Sequence, residues 1–471
     1  MTNPLLDTWT TPHQVPPFPD IRPEHYLPAF EAAMVAHDQE IDAISTNPAP
    51  ATFTNTILAI EASGRLLGRV SPAFHIMASS LASDEIRELQ RNISPQLTAH
   101  HSRIHTRPDL FKRIEAVYRG DLSTLNDVQR QLVNETWKSF VRSGAALDTD
   151  ARKHVLELDE TLSRLSTRFG QNVLNDANAF ELVIDAGDLT GLPASVVGNG
   201  AAEATRRGKA GKYVFTISRS SMTPFLAYSA RRDLREKIWQ AYTHCAANQG
   251  EFDNSSIVGE ITHLRDRRAK LLGYGSHAEY VLDDRMAGSP TEVTRLLDQI
   301  WAPAKARVQT ETKALQDRIQ RDGDNFKLAP WDWWYYTEKL RAEKFDLDAE
   351  AIKPYFRLEN VRAGAFDVAN RLYGISFRAA PDIPTYHEDV EAFEVNDHDG
   401  SLIGLFLTDY FMRPSKRSGA WMNALRAHAT HGGVQTPVIF NTCNFVKGEP
   451  TLLVLDEVRT LFHEFGHGLH G

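Results

Sequence analysis

Apolar residues recur at three- and four-residue steps along much of this chain, the spacing that gathers them on one side of a helix. Val128, Leu132, Val133, Trp137, Phe140 and Val141 form one such stripe, and Leu158, Leu162, Leu165 and Phe169 form the next. Asp148 or Asp150 is placed to cap the second helix. The helical pattern starts at Pro28. Ahead of it Pro16, Pro17, Pro19 and Pro23 remove donors and fix φ, which predicts an extended arm over the surface. Between about residues 182 and 221 the period shortens. Leu182-Val183-Ile184 and Tyr213-Val214-Phe215-Thr216-Ile217 are predicted as short strands, with Gly198-Asn199-Gly200 as a turn between them. The Gly198/Gly200 pair lacks the third glycine of a dinucleotide fingerprint.

Helical texture returns from Pro224 to about Asp322 and ends in an aromatic knot, Trp331-Asp332-Trp333-Trp334-Tyr335-Tyr336. No basic stripe interleaves with these rings, so packing between helices is expected rather than base stacking. From Ile375 to Leu455 the apolar runs are short and rich in β-branched and aromatic residues: Ile375-Ser376-Phe377, residues 402–407, residues 437–440 and residues 452–455. With turns such as Asp399-Gly400 between them, they predict a small, mostly antiparallel sheet. Arg413-Pro414-Ser415-Lys416-Arg417 is predicted as a solvated turn.

Composition narrows the picture. The 471 residues are 42% hydrophobic and 24% charged, ordinary for a folded globular chain long enough for two or three lobes. A net charge of -9 is the wrong sign for a large phosphate-dominated interface, so no nucleic-acid partner is expected. Cys245 and Cys443 are far apart and form no CxxC pair, which fits a reducing compartment. No signal-peptide pattern precedes Pro12, and no apolar run approaches the ~20 residues that span a bilayer. A cytoplasmic protein without a membrane partner is expected.

The chemistry is concentrated at His463-Glu464-Phe465-Gly466-His467, an H-E-x-x-H sequence. On a helix, positions i and i+4 are neighbours, so both imidazoles can share one Zn²⁺. Glu464 sits about 100° around the helix, beside the metal, where it can take a proton from water. The pair supplies a Lewis acid and a base, the two halves of a hydrolytic site. Asp456 is predicted to cap this helix, with Val458, Leu461, Phe462, Phe465 and Leu469 packing it down. His470 rises about 10 Å beyond His463, too far to share the same ion, so a supporting role is expected for it.

Residues 456–470, D-E-V-R-T-L-F-H-E-F-G-H-G-L-H, resemble the active-site helix of the thimet-oligopeptidase-type zinc metallopeptidases. The resemblance extends along the chain through Asn3-Pro4-Leu5, Phe53-Thr54-Asn55-Thr56-Ile57, Pro224-Phe225-Leu226, Pro330-Trp331-Asp332-Trp333, Glu343-Lys344-Phe345-Asp346-Leu347 and Lys353-Pro354-Tyr355-Phe356. Within the family it is nearest the peptidyl-dipeptidase (Dcp-type) branch, with the oligopeptidase A type next. The resemblance implies a mainly α, two-lobed helical ellipsoid of the zincin type, with a deep channel that admits short unfolded peptides. On this basis residues 1–223 are expected to form an amino-terminal helical lobe with a short strand-containing insertion. Residues 224–471 are expected to be the amino-terminal part of the catalytic domain. The implied activity is release of carboxy-terminal dipeptides by a monomer.

Position by position, the resemblance makes His463 and His467 zinc ligands and Glu464 the general base. It also sets Ser418-Gly419-Ala420-Trp421 beside bound peptide, with Gly419, Ala420 and Trp421 as candidate substrate-binding residues. The family supplies its third zinc ligand as a glutamate on a later helix. The 471-residue chain is therefore expected to be incomplete at its carboxyl end, with two protein ligands and weak or no turnover. Two alternatives stand: an endo-acting enzyme of the oligopeptidase A type, and a non-catalytic peptide-binding helical scaffold that keeps the histidine pair.

Overall fold

The computed structural model describes residues 3–345, 349–431 and 433–471, so Asp346 and Leu347 of the resemblance lie outside the described residues. The chain is mainly helical, with one two-stranded and one five-stranded sheet among the described residues. It divides into two compact units, Met1–Gln171 with Ser255–Val293, and Asn172–Asn254 with Thr294–Gly471. No described helix is long and apolar enough to cross a membrane.

The first unit packs helices around Ile41, Ile57, Ile104, Leu110, Ile114 and Phe140. Its first long helix is Pro23–Ser45, five residues earlier than the proline content suggested. Proline is tolerated at the first helical position, where its missing N–H has no partner to lose. The segment ahead of it is a docked one: Leu5, Val15 and Phe18 are buried. Arg69 donates to the carbonyls of Leu5 (3.1 Å) and Asp7 (2.9 Å) and lies over the Trp9 ring. In helix Asp127–Arg142 the buried positions are Val133 and Phe140, while Val128 stands 78% exposed, before the stripe reaches the core. Asp148 caps helix Thr149–Ala179 by accepting from the Ala151 amide at 2.8 Å.

In the second unit β1 (Leu182–Ile184) and β2 (Tyr213–Phe215) pair antiparallel. The predicted turn at Gly198-Asn199-Gly200 is instead inside helix Ala194–Arg206. Burial of Val196 and Ala204 outweighs the glycine penalty there. Gly200 is required by contact, because a Cβ would fall 2.8 Å from Phe215 Cζ. The aromatic knot is packed, as expected. Asp332 is fully buried and bound by Arg232 and Arg235, each at 2.9 Å, and Trp331 lies against Trp239.

The larger sheet comprises β3 (Ser376–Ala379), β4 (Val390–Asn396), β5 (Leu402–Phe411), β6 (Trp421–Arg426) and β7 (Val438–Phe445). Its order is β3-β4-β5-β7-β6, antiparallel except for the β5–β7 pair. β5 is buried almost end to end, as a central strand covered on both faces must be. Helices Leu358–Tyr373 and Leu455–His470 pack on the sheet through a core that includes Phe406, Tyr410, Cys443, Leu461 and Phe465.

Two local expectations change here. Residues 452–455 make no strand: Leu452 forms a single bridge with Arg357, and the helix starts at Leu455. The basic run is the predicted turn, with Pro414 and Arg417 exposed, but Lys416 is fully buried and Arg413 nearly so, both paired with buried Asp409. An acid inside a central strand needs cations brought to it.

Candidate active site

Helix Leu455–His470 starts immediately after the bridge at Leu452, and its cap differs from the expected one. Glu457, not Asp456, reaches back and accepts from the Val454 amide at 2.9 Å. This satisfies one of the donors a helix start leaves open. Burial pushes the Glu457 carboxyl up to about 7, against the opposing effect of that hydrogen bond. Leu461 and Phe465 enter the core, while Phe462 and Leu469 remain more than a third exposed, so only part of the predicted apolar set is buried.

The helix lies close to the sheet at its far end. At Gly468 a Cβ would fall 2.8 Å from Phe406 Cε2 and 3.2 Å from Asn441 Nδ2. Glycine permits this approach. The Asn441 amide and the Thr408 hydroxyl, on register-paired residues of β7 and β5, are buried there without a hydrogen-bond partner among the described residues.

His463 and His467 project from the exposed side of the helix, one turn apart. Their Nε2 atoms are 3.2 Å apart and the rings stand at 85° to one another. Two nitrogens each ~2.0–2.1 Å from a tetrahedral zinc would be separated by about 3.3 Å, so the pair fits that ion as two of its ligands. Among the described residues no group of three or more His, Cys, Asp or Glu side chains is arranged to hold a metal. Glu464 is only 6% exposed. Burial raises its pKa, and charge on His463 and His467 opposes the rise.

Gly419, Ala420 and Trp421 lead into β6, which lies at the edge of the sheet among the described residues. Gly419 has φ 99°, a left-handed conformation that favours glycine. The Asn444 side chain donates to the carbonyls of Arg417 (2.9 Å) and Gly419 (2.7 Å), and the Arg417 guanidinium lies 4.6 Å over the Trp421 ring. Ala420 packs against the same core as the histidine-bearing helix. Helix and edge strand meet where a Cβ at Gly471 would come within 3.2 Å of Met422 Cε. An edge strand offers unpaired backbone groups to an extended peptide.

A clamp on Asp409 of β5 was not foreseen from the sequence. Lys416 Nζ donates to the carbonyls of Asp409 and Phe411, each at 2.8 Å, and to Asp409 Oδ1 at 3.0 Å. Arg413 and Tyr386 bind the same carboxylate. The signal was Asp409 standing alone in the apolar run of β5.

A family model described as peptidase family M3 matches residues 225–471. That is just over half of the chain. The dipeptidyl carboxypeptidase of Salmonella typhimurium is 37% identical over 476 residues, covering all of this chain and 70% of that protein. The chain belongs to peptidase family M3. The dipeptidyl carboxypeptidase of Escherichia coli is 36% identical, and the oligopeptidase A of the same organism 34%, each over all of this chain and 70% of the relative. The expected membership is thus correct, as is the mainly helical architecture.

Proposed function

We propose that this M3 chain is a zinc-dependent peptidase that releases dipeptides from the carboxyl ends of short, unfolded peptides. The observation that carries the reading is the His463/His467 pair, with Nε2 atoms 3.2 Å apart, on a helix that also buries Glu464. His463 and His467 would hold zinc, which when bound supplies Lewis acidity for amide hydrolysis. Glu464 takes the proton from the attacking water and passes it to the leaving amine. Its burial favours this role, since a raised carboxyl pKa brings the base nearer the operating pH. Gly419, Ala420 and the start of β6 orient the peptide as an added strand.

On this reading residues 224–471 are the amino-terminal part of the catalytic domain, which the family match over 225–471 supports. Two histidines hold zinc less tightly than a three-ligand set. Weak turnover by the 471-residue form is therefore expected. Its two free cysteines favour a cytoplasmic setting, and we take the protein to act as a monomer.

The test is zinc titration followed by hydrolysis of a tetrapeptide with a free or an amidated carboxyl end. Dipeptide release from the free peptide alone supports the proposal. Cleavage of the amidated peptide at internal bonds would move it to the endo-acting mode suggested by the oligopeptidase A relative. Peptide binding without any cleavage at saturating zinc would favour the scaffold reading.

A further inference from the structure

Helix Asp127–Arg142 turns two faces to different surroundings. Val133 and Phe140 enter the core of the first unit. Glu135, Lys138, Ser139 and Arg142 recur at three- and four-residue steps and share the opposite face, which is polar. Helix His277–Leu282 and the turn after it lie across from this face. Two contacts tie the segments together: Lys138 Nζ donates to the Asp283 carbonyl at 3.0 Å, and Arg142 Nη1 donates to Asp283 Oδ2 at 2.8 Å. The Arg142 guanidinium also lies 4.4 Å from the centre of the Tyr280 ring. Ser139 and Ser143 are too short to fill the remaining gap, and the Ser143 hydroxyl donates back to the Ser139 carbonyl at 2.8 Å. A cleft of about 300 Å³ is left, lined also by Glu135, Asp284 and Arg285. It lies wholly within the first unit, whereas His463 and His467 belong to the second.

The charges on its walls are unevenly neutralised. Asp283 takes the direct bonds of Lys138 and Arg142, so those two cations hold the walls together. Glu135, exposed on the helix, accepts from Gln131 of the same helix at 2.7 Å and has no cation within ion-pair range among the described residues. Arg285, on the facing segment, comes only within 3.6 Å of Asp284, an acid also 3.5 Å from Arg142, and its side chain is 66% exposed. One carboxylate and one guanidinium are thus available on facing walls. A purely anionic ligand would meet Glu135 and Asp284, and a purely cationic one Lys138, Arg142 and Arg285. A zwitterion finds a partner for each end. The volume, room for about ten waters, suits a molecule of two residues. A dipeptide also sets its end charges about 3.5 Å further apart than an amino acid, which carries both on one carbon.

We propose that this cleft binds a zwitterion of dipeptide size, with its ammonium on Glu135 and its carboxylate on Arg285. Calorimetric titration of the chelator-treated 471-residue chain with alanyl-alanine tests it. One molecule should bind per chain, in the millimolar range expected of two solvent-open ion pairs. Glu135→Gln should weaken alanyl-alanine about three- to fivefold, yet leave propionyl-alanine, which lacks the ammonium, unchanged. Arg285→Gln should weaken alanyl-alanine to the same extent, yet leave alanyl-alanine amide, which lacks the carboxylate, unchanged. Both side chains are exposed, so neither substitution disturbs the core. Failure of alanyl-alanine to bind, or equal binding by the parent and both variants, overturns the proposal. So does binding of propionyl-alanine to the parent as tight as that of alanyl-alanine.

Discussion

Asp409→Asn should cost the second unit about 3–5 kcal/mol, the range for removing one partner of a buried ion pair. Asp409 is fully buried and its carboxylate holds Arg413 and Lys416, whose side chains are 10% and 0% exposed. The asparagine keeps the volume but leaves two buried cations without a counter-charge. Lys416→Met is milder. The Asp409–Arg413 pair survives, and the loss is chiefly that of the partner to the Asp409 and Phe411 carbonyls, about 1–3 kcal/mol. The double variant should cost less than the sum, because the methionine removes one of the orphaned charges. With roughly 2–4 °C per kcal/mol for a domain of this size, Asp409→Asn lowers Tm by about 6–20 °C. Urea unfolding at pH 7, followed by far-UV circular dichroism, measures all three. A loss under 1 kcal/mol for Asp409→Asn, or a larger loss for Lys416→Met, would refute the clamp.

Further outcomes follow from other buried groups. His100 is fully buried, with Nε2 3.0 Å from His37 Nδ1 and Nδ1 3.5 Å from Asp38, and burial lowers its pKa to about 4. The unfolded imidazole takes up a proton near 6.5, so the unfolded state binds more protons between pH 6.5 and 4. Stability is therefore full above that window and falls as pH drops through it, by on the order of 3 kcal/mol, a dependence that His100→Gln should shed in pH-dependent melts. Gly200→Ala, with its Cβ directed at Phe215 Cζ, should destabilise by about 1–3 kcal/mol in the same urea assay, and Phe215→Leu should recover much of the loss. Glu457→Gln keeps an acceptor for the Val454 amide while removing a carboxyl that folding holds protonated up to about pH 7. Stability of the parent should fall as pH rises from about 4.5 to 7, and melts of the variant should lack that slope.

How much of this was legible beforehand varies with the kind of signal. The histidine pair was legible because i,i+4 spacing on a helix fixes geometry without tertiary information. The central strands were legible from continuous apolar runs, and the packed aromatic knot from the lack of basic residues around it. What escaped depends on long-range contacts. Helix Ala194–Arg206 overrides its glycines because Val196 and Ala204 have a core to enter. Lys416 looks like a surface residue until its partner Asp409, seven residues earlier, is buried in β5. The docked opening segment depends on Arg69, more than sixty residues away in sequence. The cap moved from Asp456 to Glu457 because the helix starts one residue before Asp456, which puts Glu457 at the third helical position.

In the proposed reaction Glu464 is the base of a hydrolytic site held by His463 and His467. That role is tested most directly by dipeptide release from a free tetrapeptide at saturating zinc, in the parent and in Glu464→Gln, with zinc stoichiometry measured on both. Zinc binding should be equal in the two proteins, and release should fall at least a hundredfold in the variant, in line with removal of a general base. Release at the parent rate by Glu464→Gln would contradict that role.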